Sequence, residues 1–420
     1  MPYRPHPERI FLGSADLQLA VVSPFVDRSH GTERALAELL ERLAHRYGCR
    51  IHLFSQRVQG ISLDPAESRG NAPGGAIMWH KVPSFPGPLV VQFFAWLVLN
   101  AIVRKSKTLF GGYRFDLLLS PGINALDADL VIVHALFHRL KELSQGRNTN
   151  TWAKPGLLRD IHRRVYYTLV TLLERRVYAD RSVSLAGVSE RTAALLRSYV
   201  ARTDVRVVPN GVDVTQFSPS ERLGRRERAR AARNIRDADI VLLLIGNDWL
   251  NKGLPTILTA LAACPDLPFQ LLIVGTDANE RMHEHAKRLG VHGRCRWEAP
   301  QPDAIELYAA ADVYVSPSRE DAFALPPLEA MACGLPVITS VNNGGSQVIT
   351  EGVDGFILSD PDDSATLGEL LRRLAQWPDL RRRVGENAAR TAQQYTWDRN
   401  AAVVWEWVQE VYLQRNPVSA

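Results

Sequence analysis

The chain has 420 residues, of which 46% are apolar and 23% are charged, and its net charge is +5. This balance is typical of soluble globular proteins and excludes wholesale disorder, collagen and coiled coil. The length predicts two domains, each with its own core. Four scattered cysteines without a CxxC spacing exclude a disulfide scaffold and a thiolate zinc site, and they favour a reducing compartment. The start of the chain lacks a secretory signal pattern, so we expect a cytoplasmic protein.

The first half of the chain alternates short apolar runs with longer segments of helical periodicity. Strands are predicted at residues 18–26, 50–56, 116–122, 129–135 and 183–189. Helices are predicted between them, at residues 32–47, 90–104 and 157–178. Strands that alternate with helices indicate βαβ units and a parallel sheet.

The same alternation restarts in the second half. Strands are predicted at residues 205–209, 240–246, 269–275, 294–299, 312–318 and 336–340. Helices are predicted at residues 252–263, 279–289, 302–310, 325–333 and 364–374. The pattern therefore predicts two doubly wound, Rossmann-like α/β domains, residues 1–203 and 204–395, joined near residues 200–212. Ligands of such sheets bind beyond the carboxyl ends of the strands, so two domains facing each other predict a site in the cleft.

The densest candidate site is the segment PSREDAFALPPLEAMACGLPVITS, residues 317–340. It joins a strand end to a helix whose first turn holds prolines, which suit that position. N–H groups near residues 323–325 and the helix dipole favour an anion there. Asp321 and Glu329 supply two carboxylates that accept hydrogen bonds from the hydroxyl pairs of a sugar and of a ribose. Taken alone, the two carboxylates fit a polar loop and a surface helix better; the surrounding segments reverse that interpretation.

This segment resembles the donor-site motif of the retaining glycosyltransferases of the GT-B fold, the group 1 or family 4 set. Three further segments are similar to that family, in its order and at its spacing: residues 207–219, 245–262 and 342–358. The resemblance covers most of the second half of the chain. It implies the GT-B architecture, in which two Rossmann-like domains face a central cleft. It also implies that residues 396–420, which include an amphipathic stretch, form a helix that crosses back to the first domain.

Four positions depart from the family pattern. Asp321 aligns with the first of the family's two glutamates and has Glu320 beside it, so either carboxylate suits that role. Ala324 replaces a glycine and would be strained only if φ were positive there. Asn247 stands where the family has a phosphate-binding arginine, so either Lys252 carries more of the diphosphate charge or another arginine substitutes. Gln347 replaces a glutamate of the donor loop.

Lys252 has a physical role in transfer from a nucleotide sugar. Negative charge builds on the departing diphosphate, and a fixed ammonium stabilises that charge without a metal. The resemblance implies that Glu329 holds the ribose, that Asp321 or Glu320 holds the sugar, and that Lys252 holds the diphosphate. The catalytic residues that it implies are Lys252, Asp321 and His134, and the donor-binding residues are Gly31, Asn247, Glu320, Phe323, Ala324, Leu325 and Glu329. No metal and no cofactor are expected besides the nucleotide-diphosphate sugar itself.

The first half carries a weaker similarity to the family. Residues 23–44, SPFVDRSHGTERALAELLERLA, resemble its loop after the first strand and keep Gly31, Glu33 and Arg34. A glycine there lets the backbone approach the diphosphate and the acceptor. His134, at the end of VIVHA, aligns with a family histidine near the reacting sugar, where it would bind a donor hydroxyl or orient the acceptor. The resemblance implies an acceptor in the first domain and retention at the anomeric carbon, with the leaving phosphate taking the acceptor proton, since no pair of glycosidase-type carboxylates is evident.

Two segments bear on partners. Residues 90–103, VVQFFAWLVLNAIV, run into a basic flank, which favours a buried helix with cations at its C-terminal end. The alternative is a helix that docks on anionic lipid, which would suit a lipid-linked or cell-envelope glycan acceptor and a peripheral position at the inner face of the membrane. The basic run at 221–237 predicts a solvated helix or loop and no nucleic-acid partner. Residues 144–153 have the composition of a mobile loop.

Other functions stay open at this point. A GT-B epimerase or phosphorylase would share the architecture, and the departures at Asp321, Asn247 and Ala324 suit an inactive nucleotide-sugar-binding protein. The absence of a GxGxxG motif after the first strand argues against a dinucleotide site. The sequence at 283–285, His-Glu-His, does not have the spacing of a zinc site.

Overall fold

The computed structural model describes residues 17–64, 75–146, 157–277 and 280–417. Most of the predicted loop at 144–153 lies outside these ranges. The described residues form two α/β domains, each built on a parallel sheet covered by helices on its faces. This is the fold class that the sequence predicts.

The first domain is built on nine short strands. They are β1 (Gln18–Val22), β2 (Phe25–Val26), β3 (Arg50–Ser55), β4 (Arg57–Val58), β5 (Ala76–Lys81), β6 (Leu117–Pro121), β7 (Leu130–Val133), β8 (Ser184–Gly187) and β9 (Val205–Val207), as far as the chain is described. Seven of them form one sheet in the order β5-β3-β1-β6-β7-β8-β9, and β2 pairs with β4 separately. Every pairing is parallel. The central strands are apolar on both faces because helices cover both sides.

The helices of the first domain are α1 (Gly31–His45), α2 (Leu89–Gly111), α3 (Phe137–Gly146), α4 (Leu157–Ala179) and α5 (Glu190–Val200). Helix α1 buries the apolar stripe that its sequence periodicity predicts, including Leu36, Leu40 and Leu43. Helix α5 begins at Ser189, whose side chain accepts a hydrogen bond from the N–H of Thr192. Helices α1, α3 and α5 all begin close after strands, so their N-termini lie at the edge of the sheet that borders the second domain.

The second domain repeats this plan. Its strands are β10 (Ile240–Ile245), β11 (Phe269–Val274), β12 (Cys295–Glu298), β13 (Val313–Ser316), β14 (Val337–Ser340) and β15 (Phe356–Leu358), in the spatial order β12-β11-β10-β13-β14-β15. Its helices are α6 (Pro219–Ala231), α7 (Leu254–Ala262), α8 (Glu280–Arg288), α9 (Ile305–Ala310), α10 (Leu325–Ala332), α11 (Ser364–Gln376) and α12 (Pro378–Ala392). Strands β10 and β13 are neighbours, so the segments that follow them meet at one edge of the sheet.

The boundary between the domains lies later than the sequence predicts. Strand β9 pairs with β8 and closes the first sheet, so the chain leaves that sheet after Val207, whereas the predicted boundary is 203/204. The error has a simple cause: the run VRVVP has the pattern of a buried strand but carries no information about which sheet it joins.

The last helix, α13 (Trp397–Arg415), packs on the first domain. The indole Nε1 of Trp407 donates to Oγ of Ser184 at 2.8 Å, and Trp405 stacks on Tyr47 with ring centroids 5.5 Å apart. Arg42 of α1 donates to the Asp398 carboxylate at 2.8 Å. These contacts tie the end of the chain back to the first sheet.

Two other segments differ from the favoured sequence interpretation. Helix α2, described over its whole length, buries only Trp96, Leu97 and Asn100, so it is a surface helix rather than a buried one. The basic run at 221–237 lies largely in α6 and is less solvated than predicted, because Arg230 is 3% exposed and donates to the carboxylate of Asp312 at 3.2 Å. An apolar or charged run in the sequence does not by itself show which side of the helix packs against the rest of the protein.

Candidate functional site

A cavity of about 750 Å³ lies between the two domains, at the carboxyl ends of both sheets. The first domain contributes the N-terminal turn of α1 and the end of β7. The second contributes the loop after β10, the segment after β13 and the first turns of α10. The predicted site residues that line this cavity are Gly31, His134, Asn247, Lys252, Asp321, Phe323, Ala324, Leu325 and Glu329. Only Glu320 of the predicted set lies beside the cavity rather than in its wall.

Lys252 and Asp321 form an ion pair inside the cleft. Nζ of Lys252 donates to Oδ2 of Asp321 at 2.5 Å, and the two side chains are 16% and 17% exposed. They meet because they follow the adjacent strands β10 and β13. The two segments are tied further, since Nδ2 of Asn251 donates to the carbonyl of Glu320 at 2.8 Å. A fixed ammonium beside a carboxylate gives this wall both an anion-binding and a hydroxyl-binding group.

Glycine is required where Lys252 enters its helix. Gly253 has φ of +81°, and a Cβ there would lie 2.3 Å from the carbonyl oxygen of Pro317. An L-residue would therefore be strained and would also push the loop away from the segment that carries Asp321. A glycine directly after Lys252 therefore keeps this loop close to the segment that carries Asp321.

The structure separates the two candidate carboxylates of the segment after β13. Glu320 Oε2 accepts from Nε of Arg139 at 3.2 Å and from Nη2 of Arg191 at 2.9 Å. Both arginines belong to the first domain, on α3 and α5, so Glu320 links the domains. Asp321 faces Lys252 and the cavity. Of the two, Asp321 is therefore the carboxylate available to a ligand.

Glu329 lies in α10 and is 3% exposed. Oη of Tyr308 donates to its Oε2 at 2.5 Å, and Arg34 of α1 forms an ion pair with its other oxygen. Burial raises the pKa of Tyr308 well above its usual value, so the phenol remains a donor. A buried carboxylate needs such partners, and one neutral donor and one cation hold Glu329 in the wall of the cleft.

Arg34 was not among the residues predicted to form the site. It lies in the GTER segment that the sequence singles out, one turn after Gly31, but nothing in the local pattern shows that its partner is Glu329, almost three hundred residues away. A Cβ on Gly31 would meet nothing within 4 Å, so that glycine leaves open space at the start of α1.

Asn247 and Gln347 both have structural partners. Oδ1 of Asn247 accepts from the N–H of Thr276 at 2.8 Å and from its hydroxyl at 3.0 Å, which ties the loop after β10 to the end of β11. Oε1 of Gln347 accepts from the N–H of Glu190 at 2.6 Å, in the first turn of α5 across the domain interface. Asn247 therefore does not supply the positive charge of the family's arginine, and Gln347 does not supply the negative charge of the family's glutamate.

The lead-in to α10 is unstrained. Ala324 has φ of −65° and ψ of 132°, so the family's glycine is not needed here for backbone reasons. Phe323, Ala324 and Leu325 are buried, and the carboxamide of Asn343 accepts from the N–H of Ala324 at 3.4 Å. This segment presents the N-terminal end of α10 to the cleft.

His134 stands at the end of β7 and faces a side cavity of about 200 Å³ next to Asp321. Burial lowers the pKa of His134 to about 4, so its ring is neutral at pH 7 and serves as a hydrogen-bonding group rather than a cation.

Helix α3 begins three residues after His134. Its first N–H groups, those of Phe137 and His138, each donate to the carboxylate of Glu174 at 2.9 Å. Glu174 is fully buried in α4, and burial raises its pKa to about 7. This positioning group is a second residue that the sequence analysis missed.

Among the described residues no group of three or more histidine, cysteine, aspartate or glutamate side chains is arranged to hold a metal ion. The ring of His283 on α8 packs against that of Trp297, with ring centroids 3.8 Å apart and an angle of 30° between the planes.

Comparison with known proteins gives two adjoining family matches. Residues 29–216 match the model of Glycosyltransferase Family 4, and residues 225–391 match that of Glycosyl transferases group 1. Among curated proteins, the D-inositol 3-phosphate glycosyltransferase of Corynebacterium jeikeium is 30% identical over 253 residues, which are 57% of this chain and 60% of that protein. That of Salinispora arenicola is 31% identical over 266 residues, 59% of each chain. The chain thus matches about 60% of the length of these relatives.

Solved structures share the fold. WaaG, a glycosyltransferase involved in lipopolysaccharide biosynthesis, superposes with a TM-score of 0.72 at 22% identity over 92% of this chain and 99% of WaaG. Sucrose-phosphate synthase from Thermosynechococcus elongatus gives 0.72 at 20% identity, over 95% and 100%. Anabaena HepE in complex with UDP and glucose gives 0.65 at 18% identity, over 94% and 100%. With two Rossmann-like domains around a cleft and both halves matched by family models, the chain belongs to the group 1 / family 4 glycosyltransferases of the GT-B fold.

Proposed function

We propose that the protein is a retaining, metal-independent glycosyltransferase that moves a sugar from a nucleotide-diphosphate sugar to an acceptor hydroxyl. The observation that carries the proposal is the Lys252–Asp321 pair facing Glu329 in the interdomain cavity. One ammonium and two carboxylates on one wall match the three parts of such a donor. The solved complexes of Anabaena HepE with UDP-glucose and with UDP and glucose support a donor of this class in a protein of the same fold.

Each donor-side residue has a role that follows from its chemistry. Glu329 accepts hydrogen bonds from the ribose hydroxyls, because a buried carboxylate binds a diol pair strongly. Asp321 accepts from hydroxyls of the sugar. Lys252 and the N-terminal end of α10 neutralise the diphosphate, whose charge grows as the bond to the sugar breaks. A single donor of this kind is typically worth about 2.7–4 kcal/mol in the transition state.

The transfer step balances without an enzymatic nucleophile. The bond from the anomeric carbon to the phosphate oxygen breaks, and the bond from that carbon to the acceptor oxygen forms on the same face. The acceptor proton passes to the departing phosphate. Asp321 is held by Lys252 as an ion pair, which suits an acceptor of hydrogen bonds rather than a group that attacks carbon. Neutral His134 orients hydroxyls beside the reacting sugar.

The acceptor is proposed to enter from the first domain, through the side cavity next to Asp321. That cavity is lined by His134, Leu136, Arg139 and Leu140 of the first domain. Its mixture of apolar groups and one arginine suits an amphipathic acceptor such as a lipid-linked or cell-envelope glycan. We propose that this takes place in the cytoplasm, where the four free cysteines would stay reduced.

The test is donor turnover. The protein is incubated with UDP-, GDP- and ADP-sugars, and the released nucleotide is measured for the native chain, for Lys252→Ala and for Lys287→Ala. Lys287 is an exposed lysine on α8 and serves as the matched control. Release from one donor that is lost only in Lys252→Ala supports transfer and names the donor class. Release that continues unchanged in Lys252→Ala refutes the assignment.

Analysis of the reaction product tests the mechanism and distinguishes the rival functions. Retention requires that the anomeric configuration of the product equals that of the donor, as read by NMR, and activity should persist in the presence of EDTA. A trapped covalent glycosyl-enzyme would refute the step without a nucleophile. Sugar phosphate as product would indicate a phosphorylase. Nucleotide-sugar binding without turnover across a panel of acceptors would indicate an inactive binding protein.

A further inference from the structure

The first domain carries an unusual apolar surface on α2 and α4. In the described residues, seven of the exposed large apolar side chains lie on α2 and three on α4, out of nineteen. On α2 the residues Phe94, Val98 and Ile102 follow one another at four-residue spacing and are 36%, 57% and 56% exposed. On α4 the residues Ile161, Val165 and Leu172 form a second stripe, 46–62% exposed. We call these two stripes the α2–α4 face.

The two helices are neighbours and are fixed to the domain. The ring of Phe93 on α2 contacts that of Tyr166 on α4, with centroids 5.9 Å apart. On its inner side α2 buries Trp96, Leu97 and Asn100, and Nδ2 of Asn100 donates to the carbonyl of Asn124 at 3.2 Å. Helix α2 is long and apolar enough to cross a membrane by length and composition, and it is the one such helix in the described ranges. Its inner face packs along the domain, so it would lie in a surface and would not span it.

Most of the charges on these helices are positive. Helix α2 has no acidic residue and carries Lys105 and Lys107 in its C-terminal half, next to Arg104, whose guanidinium is paired with the Asp127 carboxylate. The described side chains of α4 include Arg164, Arg175 and Arg176 on the exposed side. The one described acidic side chain on α4 is Glu174, which is fully buried. An apolar stripe bordered mainly by cations is complementary to a surface that is apolar inside and anionic outside.

We propose that the α2–α4 face docks on an anionic lipid bilayer, with both helices lying in the plane of the headgroups. The apolar stripes would be buried at the boundary of headgroup and acyl chain, and the lysines and arginines would contact the lipid phosphates. Helix α4 also carries Glu174, which holds the start of α3 beside the acceptor cavity, so the docked face and the cleft share a rigid pair of helices. The consequence that the acceptor is a lipid-linked molecule of that bilayer rests on the proposed function, whereas docking itself does not.

Docking is tested with the full chain and vesicles, without any substrate. Flotation is measured with vesicles of phosphatidylcholine alone and of phosphatidylcholine mixed with phosphatidylglycerol, at low and at high salt. The native chain should float with the mixed vesicles at low salt and should be released by high salt. The double variant V98S/I102S should lower binding by about tenfold or more, since it removes buried apolar area. Lys105→Gln and Arg164→Gln should each lower binding by about fivefold.

The matched control is L223S/V353S, which removes two equally exposed apolar side chains, 58% and 49% exposed, from the second domain. It should float like the native chain. No flotation of the native chain with anionic vesicles at low salt overturns the proposal, as does flotation that V98S/I102S leaves unchanged. A dimer in sedimentation that V98S/I102S dissociates would assign the face to a second copy and also overturns it. Donor turnover in the absence of vesicles is measured on the same variants, so a failure of docking and a failure of the transferase assignment are distinguished.

Discussion

Replacing Asp321 with asparagine should tighten the binding of a free nucleoside diphosphate, whereas replacing Lys252 with alanine should weaken it. In the unliganded cleft Nζ of Lys252 donates to Asp321 at 2.5 Å, so the ammonium assigned to the diphosphate is shared with a carboxylate. Asparagine keeps the shape of the side chain and removes its charge. The ammonium is then free for the ligand, and a like charge next to the diphosphate is gone.

The size of the effect follows from Coulomb's law. A phosphate bound to Lys252 lies about 6 Å from the Asp321 carboxylate, and two such charges repel by about 0.7 kcal/mol in water and about 2.8 kcal/mol at an effective dielectric constant of about 20. Both side chains are about one-sixth exposed, 16% and 17%, which places the repulsion between those limits. We expect a gain of about 1.4 kcal/mol, or roughly tenfold in Kd, for Asp321→Asn. Lys252→Ala loses a charge-assisted contact of about 1.5–3 kcal/mol.

Calorimetric titration with UDP, GDP and ADP measures both changes, with Asp237→Asn and Lys287→Ala as exposed controls on the same domain. Turnover should fall in both site variants, because Asp321 is also proposed to hold the sugar. The two variants therefore move affinity in opposite directions and activity in the same direction. Weaker diphosphate binding in Asp321→Asn would refute the shared-ammonium argument. Unchanged binding in Lys252→Ala would refute the placement of the diphosphate.

Three further predictions concern stability. Burial holds the pKa of His52 at about 3 and that of His80 at about 4, so both histidines take up protons on unfolding once the pH falls below 6.5. Urea titrations between pH 6.5 and pH 4 should therefore show the free energy of unfolding falling by up to about 1.4 kcal/mol per pH unit for each histidine. The double variant His52→Phe with His80→Phe should flatten that slope. Burial raises the pKa of Glu174 to about 7, so the ionised form is costly in the folded state. As the pH rises from 4.5 to 7, the free energy of unfolding of the native chain should fall relative to that of Glu174→Gln by up to about 3 kcal/mol. A difference between the two chains that does not change with pH would contradict this. Arg34→Met should lower the free energy of unfolding, measured with denaturant, by about 3–5 kcal/mol, because it leaves Glu329 without its cation. Adding Glu329→Gln to the same chain should restore most of that loss, whereas additive losses would exclude the pair.

Most of the fold follows from local pattern. The central strands of both sheets are continuous apolar runs because helices cover both faces, so they are recognisable without any partner. Strand β5 was missed, since its sequence, AIMWHK, mixes apolar and polar side chains at the edge of the first sheet. Helix α12, rich in arginine, was missed as well. The exposure of α2 was misjudged because an apolar run predicts burial, but not whether the rest of the chain supplies the covering surface.

The site shows the same division between local and distant information. Lys252 and Asp321 were predicted from the chemistry of their segments and from the family resemblance, and the structure brings them together because the strands before them are neighbours in the sheet. The roles of Asp321 and Glu320 could not be distinguished from the sequence. Adjacent residues on an extended segment face opposite directions, and only their partners in the structure show which of the two faces the cavity. Arg34 and Glu174 were missed because their partners, Glu329 and the first turn of α3, are distant in sequence, and a charge pattern does not encode a pairing across domains.

The charges in the cleft explain why the site needs both domains. Asp321 is neutralised within the second domain by Lys252, but Glu320 is neutralised by Arg139 and Arg191 of the first domain. Glu329, 3% exposed, likewise takes its cation from the first domain. A buried carboxylate that loses its cation either takes up a proton or draws in water, and in both cases it ceases to be a fixed acceptor for a ribose. Glu320 and Glu329 are therefore set in place by cations of the first domain, so the proposed ribose acceptor, Glu329, depends on contact between the two domains.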